Sequence, residues 1–237
     1  MRRILAISDI HGCYNELVKL LDEVNYKPEV DQLILLGDYI DRGTKNKEVV
    51  QKVMNLVDEG AIALRGNHDQ MFLDFLYKNN IDAQMLYLQN GGLTTLESYV
   101  GYEWFDDGIT PENLYRAKQF IQDNYKEHLK FLYHLPYYHQ IGNLLFVHAG
   151  INPLLEDWRE TSDDDMIWIR EKFLYSSRPN DNLRIIHGHT PAQYLHSSNG
   201  INFTEKRVGI DGACAYGGQL NCLIIESGEF TQMSIKR

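Results

Sequence analysis

Short apolar runs alternate with helical patterns along the first third of the chain. Three apolar runs that each end in a polar loop are predicted to be strands: Arg3–Ser8, Gln32–Leu36 and Ala61–Leu64. The last two loops lead into predicted helices near Asn46–Glu59 and Met71–Lys78. Strands that alternate with helices predict an α/β fold with a largely parallel sheet.

The rest of the chain divides into a helical segment and a strand-rich segment. Ile81–Tyr133 contains no obvious strand and is expected to form a helical cap beside a functional site. After it, only a predicted helix at Trp168–Tyr175 interrupts a series of short strands. These strands are predicted at Tyr137–Ile141, Leu144–Val147, Arg184–His187, Val208–Ile210, Leu220–Glu226 and Glu229–Ile235. A second sheet packed on the first would account for them, and residues 1–237 are expected to form one domain, since single cores stop growing near ~250–300 residues.

Charge and composition narrow the classes of function. The formal net charge of −10 disfavours nonspecific binding to nucleic-acid phosphates, although a local cationic site such as bound metal could still attract one phosphate. Three cysteines without paired spacing predict no disulfide scaffold and a reducing compartment. We find no secretory signal pattern and no apolar run near ~20 residues, so the expectation is a cytoplasmic protein without a membrane partner.

Residues suited to metal binding follow the predicted strands, which is where α/β folds place their ligands. Carboxylates and imidazoles suit manganese, iron or zinc, and no set of thiolates competes with them. Acidic side chains that converged there without cations would repel one another. The loops in question are Asp9-Ile10-His11, Gly37–Gly43, Gly66-Asn67-His68-Asp69, His148-Ala149-Gly150 and His187-Gly188-His189-Thr190.

These motifs differ in specificity. An isolated Asp-x-His is a weak signal. The pattern Gly-Asp-x-x-Asp-Arg-Gly in Gly37–Gly43 fixes five positions, and its chance occurrence in a chain of this length is on the order of one in ten thousand. Together with Arg65–Asp69 and Gly188–Pro191, this loop resembles the calcineurin-like metallophosphoesterases. More narrowly, the set resembles the bacterial and phage branch of the phosphoprotein phosphatase family, which is related to symmetrical diadenosine tetraphosphatases. The matching segments span the chain, with no family motif at residues 95–135.

The resemblance implies a sandwich of two mixed β-sheets flanked by helices and a site for two divalent cations. Manganese is the favoured metal, with iron and zinc as alternatives. Asp9 and His11 would bind one metal and Asp38 would bridge to the second. The second site would be completed by Asn67, His148 and His189.

The resemblance also implies roles in catalysis. A hydroxide that bridges the metals would be the nucleophile, and His68 would be the general acid that protonates the leaving group. Asp41 would orient His68 and stabilise its protonated form. Arg42 and Arg170 would hold the phosphate, because a guanidinium matches two phosphate oxygens at once.

Several neighbouring residues are predicted to be structural. His187 is expected to pack near the site rather than bind metal, and Arg65 is expected to pair at its strand end. Asp69 is expected to favour the N-terminus of a helix. Four further histidines without ligand-like neighbours are expected at the surface or in loops: His128, His134, His139 and His196.

The sequence therefore predicts a metal-dependent phosphoesterase, with phosphoserine or phosphothreonine in proteins as the preferred substrate. The alternative is hydrolysis of a dinucleoside polyphosphate such as diadenosine tetraphosphate, and a remote alternative is a non-catalytic metal-binding interaction module. The preference rests on the segment Ile81–Tyr133, where acidic residues outnumber basic ones and would cradle a polyphosphate poorly. The oligomeric state stays open.

Overall fold

A computed structural model describes residues 2–176 and 182–237. The strands are β1 Arg3–Ile7, β2 Asp31–Leu35, β3 Ile62–Ala63, β4 Tyr138–Ile141, β5 Leu144–Val147, β6 Arg184–His187, β7 Asn202–Phe203, β8 Arg207–Gly209, β9 Gln219–Glu226 and β10 Glu229–Lys236. The helices are α1 Tyr14–Glu23, α2 Asn46–Asp58, α3 Asn67–Tyr77, α4 Ile81–Gln89, α5 Leu93–Val100, α6 Pro111–Asn124, α7 Lys126–Tyr133, α8 Asp163–Trp168, α9 Glu171–Leu174 and α10 Gln193–His196. Short 3-10 segments lie at Tyr102–Phe105, Trp158–Glu160 and Cys214–Tyr216.

The strands form two mixed five-stranded sheets. The first has the order β10-β9-β1-β2-β3, in which β1, β2 and β3 run parallel and β9 and β10 pair antiparallel. The second has the order β4-β5-β6-β8-β7, with parallel pairing among β5, β6 and β8 and antiparallel strands at both edges. The expected fold of two mixed sheets flanked by helices is confirmed.

The side chains of β1 point alternately to the second sheet and to the helices, which shows how these layers pack. Ile4 and Ala6 face the second sheet and share a buried cluster with Phe146. Leu5 and Ile7 point to the opposite face and pack against the helices. Because successive side chains of a strand point to opposite faces, one apolar strand serves both the core between the sheets and the core beneath the helices.

The segment that follows α3 is helical from α4 to α7, as its sequence pattern predicts. Helix α4 packs against α3, and α5 packs against α2. Tyr87 and Leu96 are fully buried in the same cluster as Leu5 of the first sheet. The segment is therefore built onto the helical layer of the first sheet.

Two predicted element boundaries are wrong. Helix α3 begins at Asn67 rather than near Met71, because the Asp69 carboxylate accepts the Gly66 N–H and caps the first turn. The helix expected at Trp168–Tyr175 is two short helices, α8 and α9, and Arg170 lies between them with non-helical angles, φ −128° and ψ −102°.

Two further features differ from expectation. His128 is buried in α7, where its ring nitrogens meet the Tyr99 hydroxyl at 2.9 Å and the Gln51 side-chain oxygen at 3.0 Å. Strand β7 has only two residues, too short to show a pattern of alternation.

Across the described ranges, every helix is too short or too polar to cross a membrane.

Candidate metal centre

The polar residues predicted from the strand ends meet where the two sheets adjoin. Asp9 and Asp38 follow β1 and β2 of the first sheet, whereas His148 and His189 follow β5 and β6 of the second. The His189 N–H donates to both carboxylate oxygens of Asp9, at 3.2 and 3.0 Å, which joins the two sets of loops. The six residues predicted to bind metal are all buried: Asp9, His11, Asp38, Asn67, His148 and His189.

The backbone of these loops is tightly bent. Four of the predicted ligands have positive φ values: 54° at Asp9, 45° at His11, 56° at Asp38 and 64° at His189. Such left-handed conformations cost non-glycine residues roughly 1–2 kcal/mol each, and they persist only where surrounding contacts hold them. At Gly188 a Cβ atom would collide with the side chains of the Asp9 loop, so only glycine allows this close approach.

Two groups of potential ligand atoms share Asp38. His11, Asp38 and His68 form one group, and Asp38, His148 and His189 form the other; within each, the ligand atoms lie within 4.8 Å of one another. Asp38 is therefore placed where one carboxylate could serve two cations.

Asp9 and Asn67 border these groups. The Asp9 carboxylate also accepts a hydrogen bond from the Ser8 hydroxyl, and the Asn67 side-chain oxygen lies 3.1 Å from His148 Nε2. The six predicted ligands thus occupy one buried cluster, with Asp9 at its edge.

The two carboxylates have different protonation tendencies. Burial would raise the pKa of Asp38, but the nearby His148 and His68 outweigh burial and lower it well below its usual range. Burial raises the pKa of Asp9, and the charge of Asp38 adds to that effect. Asp38 is thus held as the anion that a cation requires, while Asp9 would gain most from positive charge nearby.

Three imidazoles are oriented for metal binding. His11 and His148 direct Nδ1 to the carbonyl oxygens of Ile40 and Leu36, at 2.6 and 2.8 Å, so that Nε2 faces the cluster. His189 Nε2 is buried and has no hydrogen-bond partner within the described part of the chain. A buried nitrogen left unpaired among carboxylates is the state expected of a ligand, so these residues fit a cation.

Burial controls the charge of these rings. It lowers the pKa of His11 and of His189 well below the usual range, so both rings are held neutral. The lone pair of His189 Nε2 is unpaired, whereas a cation at His11 Nε2 would replace the contact with Arg42. At His148 burial acts in the same direction, but the Asp38 carboxylate prevails and raises the pKa to about 9. A cation at Asp38 would therefore displace the His148 proton when it binds.

His68 and Asp41 form a buried pair beside the cluster. His68 Nδ1 lies 2.6 Å from Asp41 Oδ2, and the His68 backbone N–H donates to Asp38 Oδ1 at 2.9 Å. The rings of His68 and His11 meet edge to face, with centroids 4.6 Å apart. The pair is thus next to the potential ligands, as its predicted role requires.

The two predicted phosphate-binding arginines approach from different sides. Arg42 Nη1 donates to His11 Nε2 at 2.7 Å, and its guanidinium lies 5.0 Å from the centre of the exposed Tyr216 ring. Arg170 Nη1 donates to the His189 carbonyl at 2.9 Å and to the Thr190 hydroxyl at 3.0 Å. Both guanidinium groups are anchored to loops that carry potential ligands.

The residues expected to be structural lie outside the cluster. His187 packs edge to face against Phe173, and burial lowers its pKa to about 4. Arg65 forms no ion pair in the described structure; it donates to Gln70 at 2.7 Å and to the carbonyl oxygen of Leu132 at 3.1 Å. An arginine that binds neutral acceptors differs from the ion pair expected at this position.

Two acidic residues near the site have larger roles than their sequence context indicates. Asp69 accepts N–H groups from Gly66 and Asp38 at 2.9 Å and from Tyr39 at 3.2 Å, which fastens two of the site loops together. Asp211 is buried and accepts a backbone N–H at 2.8 Å, and burial together with Asp9 raises its pKa well above the usual range. Asp211 follows a predicted strand, so the rule that identified the other strand-end residues could have found it.

Comparisons with known proteins agree with this geometry. Residues 2–220 match the family described as calcineurin-like phosphoesterase. The chain is 26% identical to the asymmetrical bis(5'-nucleosyl)-tetraphosphatase PrpE of Geobacillus sp. (strain WCH70), over 92% of this chain and 88% of that protein. It is 27% identical to serine/threonine-protein phosphatase 1 of Salmonella typhimurium, over 95% and 93% of the two chains.

A solved structure of a serine/threonine phosphatase from Saccharomyces cerevisiae has the same fold. The TM-score is 0.62 at 15% identity, with 100% of this chain and 80% of that chain covered. Because the family match covers nearly the whole chain, the protein belongs to the calcineurin-like phosphoesterases and is a metal-dependent phosphoesterase.

Proposed function

We propose that the protein hydrolyses phosphate monoesters, with phosphoserine and phosphothreonine in proteins as its substrates. The observation that carries this proposal is the buried pair of His68 and Asp41, 2.6 Å apart beside the potential metal ligands. A serine or threonine alkoxide is a strong base and leaves readily only if it receives a proton. The phosphate leaving group of an anhydride is a much weaker base, so a positioned proton donor favours ester substrates.

The cations would be held by six buried residues, Asp38 and the five around it: Asp9, His11, Asn67, His148 and His189. Their oxygen and nitrogen atoms suit manganese, with iron and zinc as alternatives. Two bound divalent cations would supply a water that is activated near neutral pH and would offset the charge of the phosphate.

The side chains around that centre would control the substrate and the proton. Arg42 and Arg170 would bind phosphate oxygens through guanidinium N–H groups that match the phosphate geometry. Asp41 would keep the Nδ1–H of His68 in place, so that Nε2–H faces the leaving oxygen and passes it a proton. Asp41 would orient the imidazole and balance its positive charge.

The charge of the segment Ile81–Tyr133 also supports a protein substrate. Two of its basic residues contact aromatic rings: Arg116 lies over Trp104 of the same segment at 5.2 Å, and Lys118 lies over Phe75 of α3 at 4.8 Å. Acidic residues outnumber basic ones in the same segment. A chain of phosphates would find little attraction there, whereas a single phosphate on a protein needs only the arginines and the cations.

A second candidate function is hydrolysis of dinucleoside polyphosphates, and one observation favours it. Tyr216 is 66% exposed and lies against Arg42, so an aromatic surface adjoins a proposed phosphate-binding group. Such a ring could stack on a nucleobase, an interaction worth about 1–3 kcal/mol.

A comparative turnover assay with manganese separates the two functions. We expect the best phosphopeptide of a diverse panel to exceed diadenosine tetraphosphate in kcat/KM. A value for diadenosine tetraphosphate at least about tenfold above the best phosphopeptide, a difference of about 1.4 kcal/mol, would overturn the preference for proteins. In that case Tyr216→Ala should weaken dinucleotide turnover and leave p-nitrophenyl phosphate turnover unchanged.

A further inference from the structure

The hydroxyl of Thr95 lies directly behind the His68–Asp41 pair. It donates a hydrogen bond to Asp41 Oδ1 at 2.6 Å and accepts the Asp41 backbone N–H at 2.9 Å. The other oxygen, Asp41 Oδ2, meets His68 Nδ1 at 2.6 Å. Asp41 is therefore held on one side by Thr95 and holds His68 on the other.

We propose that Thr95 is a positioning residue for the proton donor, acting on His68 through Asp41. This inference rests on the proposed function, in which His68 protonates the leaving group. The hydroxyl of Thr95 bonds to Asp41, which is not among the six predicted metal ligands.

The geometry explains why one hydroxyl could have this effect. Asp41 has a positive φ of 72°, a conformation that needs support from its surroundings. Thr95 binds both the backbone and the side chain of Asp41, so neither can turn without breaking a bond to the same oxygen. Because the hydroxyl accepts one hydrogen bond, its own proton is directed to Oδ1.

Thr95 is itself fixed. Its side chain has no exposed surface, and its backbone N–H donates to the Gly92 carbonyl at 3.0 Å. Without the hydroxyl, Asp41 Oδ1 would lose its bond to Thr95, and the nearest remaining side-chain donor would be the buried Tyr87 hydroxyl. The carboxylate would then gain by turning toward another donor, which would move Oδ2 away from His68.

The contact between Thr95 and Asp41 also connects the helical segment Ile81–Tyr133 to the site. Thr95 belongs to α5, and the turn before α5 supplies the Gly91 carbonyl that accepts the Arg42 backbone N–H at 3.2 Å. The turn at Gly91 and helix α5 thus support the backbone of Arg42 and the side chain of Asp41.

The test compares Thr95→Val, which removes the hydroxyl, with Thr95→Ser, which keeps it. We expect Thr95→Val to lower kcat on a phosphoserine peptide by ~10-fold to 100-fold, part of the ~10²–10⁴ that a general acid supplies. Turnover of p-nitrophenyl phosphate should change by less than about threefold, since nitrophenolate leaves without a proton. Thr95→Ser should restore peptide turnover.

Ser98→Ala is the matched control. Ser98 lies on the same helix, and its hydroxyl accepts the Lys47 backbone N–H at 2.8 Å without contacting the site. Its kcat should match the unmodified protein on both substrates. If Thr95→Val does not fold, Thr95→Cys, a weaker hydrogen-bond donor of similar size, must show the same selective loss on the peptide.

His68→Asn, measured in parallel, distinguishes the proposed role of His68 as proton donor from the inference that Thr95 positions it. If His68→Asn loses turnover equally on both substrates, the proposed role of His68 is wrong. If His68→Asn loses turnover selectively on the peptide but Thr95→Val loses it equally on both substrates or not at all, only the inference about Thr95 is overturned.

Discussion

The Asp38 carboxylate lies 3.4 Å from Nε2 of His148, and both side chains are buried. Asp38 follows a strand of the first sheet and His148 follows a strand of the second. The central contact of the site therefore crosses the junction between the sheets, and packing of the sheets fixes the distance between potential ligands. Each sheet alone would carry only part of the constellation.

Asp38→Asn should be among the most damaging substitutions. Asp38 belongs to both groups of potential ligands, and an amide would remove the negative charge that both cations share. We expect fewer than two manganese ions per chain by elemental analysis and a loss of at least ~10²-fold in kcat, the scale of a positioned catalytic group. Asp74→Asn, which removes an exposed pairing with Lys78, is the control and should change neither value.

His68→Asn should separate chemistry from metal binding. His68 contacts Asp41 through Nδ1 and is proposed to donate a proton rather than hold a cation. Two manganese ions should remain bound by elemental analysis, while kcat on a phosphoserine peptide falls by ~10²–10⁴. Loss of a metal ion together with activity would mean that His68 is a ligand.

Asp69→Ala should destabilise the fold. Three buried backbone N–H groups, of Gly66, Asp38 and Tyr39, donate to this carboxylate and would lose their acceptor. With a penalty of about 1–3 kcal/mol for each unpaired group, partly relieved by water, the free energy of unfolding should fall by at least ~2 kcal/mol in urea denaturation. Asp69→Asn keeps one oxygen and should lose less. A change below about 0.5 kcal/mol for Asp69→Ala, the range of ordinary surface substitutions, would show that these bonds do not stabilise the fold.

Asp31→Asn should reveal a pH-dependent contribution to stability. Arg3 binds the Asp31 carboxylate through two bonds of 2.9 and 2.7 Å, and with the Lys27 N–H it lowers the pKa of Asp31 below its usual range. A lowered pKa in the folded state gives stability that is complete above the unfolded value of about 3.9 and is lost as pH falls through the folded value.

We therefore expect Asp31→Asn to cost about 1–3 kcal/mol at pH 7, because hydrogen bonds to charged groups contribute about 1.5–3 kcal/mol and the partly exposed Arg3 is screened by solvent. The difference from the unmodified protein should shrink below about pH 4 in urea denaturation at several pH values. A difference that stays constant into acid would mean that ionisation of Asp31 does not contribute.

The predicted site residues come together in the fold because they occupy one kind of position in the sequence. Asp9 and Asp38 follow parallel strands, and the carboxyl ends of parallel strands meet at one edge of a sheet. The alternation of strands and helices indicates this arrangement from local pattern alone. The order of the two sheets, in contrast, depends on pairing between distant strands, which local pattern does not encode.

Contacts between distant segments leave no mark in the local sequence pattern. Thr95 lies 54 residues from Asp41 and has an ordinary helical context, so nothing local marks its hydroxyl as part of the site. The start of α3 at Asn67 depends on a cap by Asp69, whose place at the N-terminus was expected but whose bonds to the β2 loop were not. His128 is buried because Gln51 and Tyr99 come together around it.

The most direct test of the account is turnover of a phosphoserine peptide by protein stripped of metal with a strong chelator and then titrated with manganese. The account predicts that stripped protein is inactive, and that activity returns in proportion to bound manganese and saturates at two ions per chain. Full turnover by protein that elemental analysis shows to be free of metal would contradict it.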